Sequence, residues 1–534
     1  MTVSKISFHN GVPTLFVNDE PLAGVAYITY YTDKNRYKDF SDAGFKLFSV
    51  PIFFSGQTIN EFSQIPPFSE GIFDDGANFE IFEREIKRII EAAPDALIFP
   101  RINCSVTRKW EDENPDELCD NCRRSCFSSD AWVEETERML SEFIEYVQTS
   151  DYSDNIIGYQ IAGGNTEEWF SFDGKGSVGL RSRQKYAEIS GKFYEEGDDY
   201  KEDADFYNFL CEMTAKRIER LAALVKNKVK RQQVVGVFYG YTFECPYGAS
   251  GHLALGNILD SYNIDFICSP ASYMETRKFG IDHPCMLPVD SLKKHGKLYF
   301  VENDVRTDLS RAPNDLPRYN TPIWFGPERE TSLELVKQHF ARALLHGHSQ
   351  WWFDMWGGWY ASEDYMNLMK KTLNLARKSL ELPMESCAEV GVFIDEKSML
   401  TYTAKEEAYN FRRSLGLMGA AYDVYLADDY FSVCQKYKLC IFIEPTRTTK
   451  MTDIISACMC DYIVINQDNC HITSAELREL LKNAGVKLRS ESDAVIYENQ
   501  SYIFIGGTSE PLCYDGKTEL LLDGIGRLYL KNIQ

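Results

Sequence analysis

Between Gly24 and Asp354 the chain alternates short apolar runs with segments of helical period, and any fold must satisfy that alternation. The runs are Gly24 to Tyr30, Phe45 to Phe54, Ala96 to Ile102, Ile156 to Ile161, Val234 to Tyr241, Asp265 to Cys268, Lys297 to Val301 and Gln350 to Asp354. They are rich in aromatic and β-branched residues, as strands of a buried parallel sheet are. Between them Phe79, Phe82, Ile86, Ile89 and Ile90, and then Met139, Leu140, Phe143, Ile144 and Val147, recur at helical spacing. Helices are also predicted from Asp205 to Val229 and from Leu333 to Leu345. Eight strands with helical crossovers predict a TIM (β/α)8 barrel. A hairpin over Ile6 to Leu22 should precede it, and a helix from Tyr365 to Leu380 should close it. The polar stretch from Phe170 to Lys201 is expected to be a long loop roofing the site.

Glu381-Leu382-Pro383 marks a boundary, which divides the chain into a barrel domain, 1–385, and a second domain, 386–534. The second domain alternates again. Strands are predicted at Val390 to Ile394, Ala421 to Leu426, Leu439 to Ile443 and Tyr462 to Ile465, with helices at Glu406 to Met418 and Ser474 to Ala484. This predicts a smaller open α/β domain. Its loops carry no glycine-rich phosphate cradle and no nucleophile–histidine arrangement, so a scaffold or assembly role is expected.

The formal charge of −23 argues against nucleic acid or an anionic membrane as partner. The N-terminus lacks a basic segment followed by an apolar run, and no stretch is long and apolar enough to span a bilayer. With 15 cysteines, an odd number, the expectation is reduced thiols in a cytoplasm.

Chemistry concentrates at two strand ends. Tyr299 to Leu309, YFVENDVRTDL, is a short buried run that delivers Glu302 to its tip; Ile156 to Trp169, IIGYQIAGGNTEEW, delivers Asn165, Glu167, Glu168 and Trp169. Two carboxylates at strand tips of one barrel suggest acid/base and nucleophilic work on a glycosidic bond. Each has a plainer reading. Glu302 could pair with Arg306, and one of the two adjacent glutamates could simply open a helix. At the eighth strand, Trp351, Trp352, Trp356 and Trp359 fall within nine residues, WWFDMWGGWY, and favour at least one sugar-stacking platform beside core packing. Cys104, Cys119, Cys122 and Cys126 offer a four-thiolate zinc set, with reduced loop thiols as the weightier alternative.

These motifs resemble the retaining glycoside hydrolases of clan A, which carry an acid/base after strand four and a nucleophile after strand seven. The order of domains, barrel then flavodoxin-like α/β, resembles the family 42 β-galactosidases and equally the family 164 β-mannosidases. The resemblance implies a retaining exo-β-glycosidase, β-galactosidase first and β-mannosidase next, that requires no cofactor; a structural zinc rests on the cysteine spacing alone. It implies Glu302 as nucleophile. It favours Glu168 as acid/base, through the pattern G-N-T-x-E-W, with Glu167 in reserve because Asn165 does not directly precede either. Tyr273 resembles the tyrosine that contacts the nucleophile. Arg101, Asn103, Asn165, Trp169, Trp352 and Trp356 correspond to sugar-contacting positions. The second domain would support a homotrimer, and the small β domain of family 42 has no visible counterpart. The rival readings are a non-catalytic carbohydrate-binding or assembly protein on an inherited barrel, and a transglycosidase or phosphorylase using the same acids.

Overall fold

The computed structural model describes residues 2–56, 69–119, 125–164, 167–170, 178–196, 198, 203–244, 250–273, 277–311, 325–400 and 410–532, and the backbone of 405–409. The chain opens with β1 (Ser4–His9), β2 (Val12–Val17) and β3 (Glu20–Leu22), a small antiparallel sheet rather than a bare hairpin. Ser4 ties it to the starts of two barrel strands. Its amide donates to Gln232 O at 2.9 Å and the Val234 amide donates to its hydroxyl at 3.0 Å, both at one strand start, while the hydroxyl donates to Ile157 O at the other. The sheet therefore lies at the N-terminal end of the barrel, opposite the strand tips.

The barrel is closed. Its strands are β4 (Val25–Ile28), β5 (Leu47–Phe53), β6 (Leu97–Asn103), β7 (Gly158–Ala162), β8 (Val234–Phe238), β9 (Phe266–Pro270), β10 (Leu298–Asn303) and β11 (Ser349–Phe353), each hydrogen-bonded to the next and β11 to β4. Each corresponds to one of the eight apolar runs, with ends shifted by at most a few residues. All-parallel pairing buries both faces, which is why the runs are continuously apolar.

Aromatic rings fill the interior. Phe99, Phe266 and Phe300 meet edge-on or tilted at 5.2 to 5.9 Å, and Phe300 stacks on Trp351 at 4.4 Å. Gly236 makes this possible, since a Cβ there would stand 2.0 Å from the Phe266 ring. On this floor rests the site.

The stretch expected to be one long roofing loop contains a helix, Leu180–Ser190, ended by Gly191 in the left-handed region (φ +75°). Tyr186 is its one buried apolar side chain, so no periodic apolar face marks it in the sequence.

Beyond the barrel, β12 (Val390–Ile394), β13 (Tyr422–Leu426), β14 (Leu439–Ile443) and β15 (Asp461–Ile465) form a parallel sheet in the order β13-β12-β14-β15. The helices Lys405–Gly416 and Ser474–Asn483 fall where the periodicity predicts them. The chain does not end there. β16 (Val495–Glu498), β17 (Tyr502–Gly506), β18 (Thr518–Leu522) and β19 (Arg527–Lys531) make a separate antiparallel sheet, a β unit that sequence reading did not anticipate. Among the described residues no helix is long and apolar enough to cross a membrane.

Candidate active site

Arg101 is the centre of the site. It projects from β6 with no exposed surface, and its guanidinium lies over the rings of Phe238, Trp351 and Phe353 at 4.8, 5.3 and 5.6 Å. A cation this deep needs carboxylates. Two supply them from different strands. Glu302, at the end of β10, accepts from Arg101 Nη2 at 2.7 Å, and Glu167, after β7, lies 3.8 Å from Nη1. Gln160 on β7 accepts from Nε at 3.2 Å. The register explains the meeting: Arg101 pairs with Gln160 across β6 and β7, and Glu302 with Trp351 across β10 and β11.

The turn after β7 places two adjacent acids side by side. It closes on itself, with the Gly163 amide donating to Glu167 O at 3.2 Å and the Trp169 amide to Gly163 O at 2.9 Å. Glu167 and Trp169 both hold a left-handed backbone, φ +70° and +63°, which is costly for side chains of this size. Trp169 lies so close to Gly163 that a Cβ there would stand 2.6 Å from the indole ring. Glu167 then points to the barrel axis, where the Tyr30 hydroxyl, at the tip after β4, donates to its Oε2. Glu168 turns to a neighbouring part of the same mouth, where it accepts from the Tyr241 hydroxyl at 3.1 Å, a group that also feels the charge of Glu302.

The two acids of the Arg101 cluster are both shifted upward. Burial raises Glu167 to about 7, offset only in part by Arg101 and the Tyr30 hydrogen bond, with the charge of Glu302 adding to the rise. Burial also raises Glu302, against the pull of Arg101 and with Asp304 pushing the same way as burial. Glu167 Oε1 and Arg101 Nη1 are buried without a hydrogen-bond partner among the described residues. A cluster with such open valences is arranged for a guest or for proton movement.

No protein-family model matches the sequence, and no curated protein matches it. Solved structures do. A β-galactosidase from the psychrophilic Marinomonas ef1 superposes with a TM-score of 0.65 at 11% identity, covering 95% of this chain and all of that one. A β-galactosidase from Bacillus circulans sp. alkalophilus gives 0.60 at 11% identity, covering 96% of this chain and 98% of the other. The fold is that of these β-galactosidases. A family 42 exo-carrageenase from Bacteroides ovatus shares it less closely, with a TM-score of 0.55 at 11% identity over 99% of this chain and 85% of that one.

Within this β-galactosidase fold the sugar-contacting candidates separate. Asn103, two residues beyond Arg101 on β6, faces the same way and donates to Gly164 O at 3.4 Å, so it joins the site. Trp352 does not. Side chains alternate along β11, and Trp351 takes the inward place beside Arg101. Trp352 faces the helices, edge-on to Tyr360 at 5.9 Å. Its neighbour Gln350 confirms that direction by accepting from Asn303, whose Oδ1 meets His339 on the helix Arg329–His346. Trp169 also belongs to the wall, packed against Phe127 and Trp132 with its Nε1 donating to Ile161 O. Trp356 is 2% exposed in the loop above β11, and Trp359 is buried. An open platform for a sugar face is therefore absent from this quartet in the form the sequence suggests.

Tyr273 departs from expectation as well. Its hydroxyl donates to Asp304 Oδ2 at 2.9 Å rather than to Glu302, because Arg277 fixes Asp304 beside it. It remains 40% exposed above Arg277, open to a ligand. Asn165 and Cys122 lie outside the described residues. Of the remaining cysteines in the expected zinc set, Cys119 and Cys126 come together, and the Cys119 hydrogen bond brings Cys126 down to about 7. Cys104 stands apart as a thiol: burial raises it, and its Sγ–H donates to Ile102 O. Tyr30 and Tyr241 were not singled out from the sequence. Each ends a strand run that carries a tyrosine to the C-terminal face, the one signal available.

Proposed function

We propose that the chain is a retaining exo-β-glycosidase in which Glu302 is the nucleophile and Glu168 the acid/base. The carrying observation is the carboxylate of Glu302, held by buried Arg101 at the end of the seventh barrel strand, with the Glu167–Glu168 turn at the end of the fourth. Glu302 attacks the anomeric carbon of a terminal sugar while Glu168 gives its proton to the departing oxygen. The resulting glycosyl ester is opened by water, whose proton returns to Glu168 as its oxygen attacks the same carbon. Two inversions leave the β configuration unchanged.

Glu167 and Glu168 divide the qualities an acid/base requires. Glu167 holds a proton near pH 7 but is sealed beneath Tyr30 and beside Arg101. Glu168 is partly exposed, and the proton donor has to touch the glycosidic oxygen. Proton transfer is therefore assigned to Glu168, with Glu167 positioning Arg101. Azide separates the two glutamates. The Glu168→Ala enzyme should keep most of its kcat/KM on dinitrophenyl glycosides, whose leaving group needs no proton, and added azide should speed its turnover and give a glycosyl azide of retained configuration; the same behaviour in Glu167→Ala instead would move the role by one residue.

A β-galactoside is the leading substrate and a β-mannoside the next, since the structural neighbours include enzymes named as β-galactosidases. Double displacement calls for no cofactor. A homotrimer through the C-terminal domain, no nucleic-acid or membrane partner, and a reducing cytoplasm complete the reading; the described cysteines are all free thiols. A panel of nitrophenyl β-glycosides tests it, with the galactoside expected to turn over fastest. Sugar binding without turnover of any glycoside would instead indicate a carbohydrate-binding protein. Products that appear only with a sugar or phosphate acceptor would indicate a transglycosidase or phosphorylase. Light scattering should give three times the 61.3 kDa chain mass.

A further inference from the structure

Away from the barrel mouth, in the small α/β domain, three cysteines from two segments meet. Cys440 lies on β14, Cys460 immediately precedes β15, and Cys458 follows the helix Thr449–Ser456. β14 and β15 run parallel with Cys440 opposite Tyr462, which brings Cys460 alongside Cys440. The sulfurs of Cys440 and Cys460 are 3.3 Å apart, those of Cys458 and Cys460 3.7 Å, and all three lie within 4.8 Å of one another. Among the described residues this is the one group of three or more His, Cys, Asp or Glu side chains close enough to share an ion.

We propose that Cys440, Cys458 and Cys460 form a binding site for a thiophilic cation of the zinc class. Geometry is the first argument. Zinc–thiolate bonds of about 2.3 Å in a tetrahedron put neighbouring sulfurs roughly 3.8 Å apart, close to the spacing present here. The second is the donor set. Three sulfurs with no carboxylate among them select zinc or a softer ion over magnesium or calcium. The third is access and completion. Cys440 is buried while Cys458 and Cys460 are half-buried, so the site has a solid back and an open front. Cys434 packs on the same small core and, like Cys458 and Cys440, acts on the Tyr430 hydroxyl, which makes it, beside water, a candidate for the fourth position. Binding would replace three S–H bonds by S–metal bonds and release the protons to solvent. It would pin β15, the edge strand whose first two residues are exposed, to β14.

The test uses the full chain, metal-free and kept reduced with a phosphine. One equivalent of cobalt(II) should produce the thiolate charge-transfer band and the visible bands of tetrahedral cobalt, and zinc should abolish both by displacement. Zinc should also raise the melting temperature. Cys458→Ser and Cys460→Ser should each weaken cobalt binding by at least about 100-fold, whereas Cys119→Ser should leave it unchanged. The wild-type titration decides the matter even if a serine variant fails to fold. No band at one equivalent in the reduced wild-type chain would overturn the proposal. So would a band that survives both serine variants, or one that vanishes in Cys119→Ser.

Discussion

The barrel mouth and the junction with the C-terminal domains each bury acids against an arginine, and they differ in how completely the acids are paired. At the junction, Asp282 takes the Arg342 guanidinium and the Tyr497 hydroxyl (2.6 Å) on one oxygen and the Tyr422 hydroxyl (2.7 Å) on the other. Burial alone would raise Asp282, but these partners outweigh it and hold the carboxyl below its ordinary range. At the mouth the same kind of burial wins, and Glu167 and Glu302 both rise. Equal burial with unequal pairing distinguishes an ion pair that fastens domains together from one left open for chemistry. The junction joins barrel, parallel sheet and antiparallel sheet through one aspartate, since Tyr422 lies on β13 and Tyr497 on β16.

The comparison is sharpest where the two regions answer the same kind of substitution differently. Glu302→Ala should lower kcat/KM by at least about 10⁴-fold, with azide restoring turnover as a glycosyl azide of inverted configuration, while stability falls less than at the junction, because Glu167 and Gln160 remain beside Arg101. Asp282→Ala should do the reverse. It strands buried Arg342 and should cost about 3–5 kcal/mol in urea unfolding, with any activity loss following the loss of folded protein.

A third substitution probes the mouth's raised acid through pH. A carboxyl raised in the folded state stabilises the protein fully below its unfolded pKa, near 4.5, and that contribution is lost as pH climbs through about 7. Glu167→Gln should therefore become more stable relative to wild type between pH 4.5 and pH 8, by up to about 3 kcal/mol. Urea unfolding at both pH values measures it, and a difference independent of pH would contradict the assigned shift. Asp282 has the opposite sign, its contribution being present at neutral pH and lost on acidification below about 4. The smallest effect is expected at Trp352→Phe, roughly 1–2 kcal/mol of stability with KM within about twofold, because that ring stands outside the barrel wall. A large rise in KM would return Trp352 to the site.

Much of this was legible in the chain. The eight runs became eight strands because parallel strands buried on both faces must be continuously apolar, and Glu302 could be read as a strand-tip acid from the polar residues that follow Val301. What stayed hidden depended on pairing across space. The parity of β11, which turns Trp351 inward and Trp352 outward, follows from its register with β10. Glu167 and Glu168 are adjacent in sequence, yet a left-handed turn sends one to Arg101 and the other to Tyr241. The antiparallel sheet from Val495 to Lys531 was missed because β18 is largely exposed and bulged near Leu520, so its alternation is weak. Cys458-Met459-Cys460 is visible as a short motif, but Cys440, its third member, arrives only through the β14–β15 pairing.

The central claim, that Glu302 forms a covalent bond to the sugar, is tested most directly by trapping it. A dinitrophenyl 2-deoxy-2-fluoro-β-glycoside of the best substrate slows both steps through the electron-withdrawing fluorine, while its leaving group keeps the first step running. Peptide mass spectrometry of the inactivated enzyme should find one fluoroglycosyl group per chain, on Glu302. Label on Glu167 or Glu168, or an enzyme that turns over the parent glycoside yet never acquires a label on Glu302, would contradict the account.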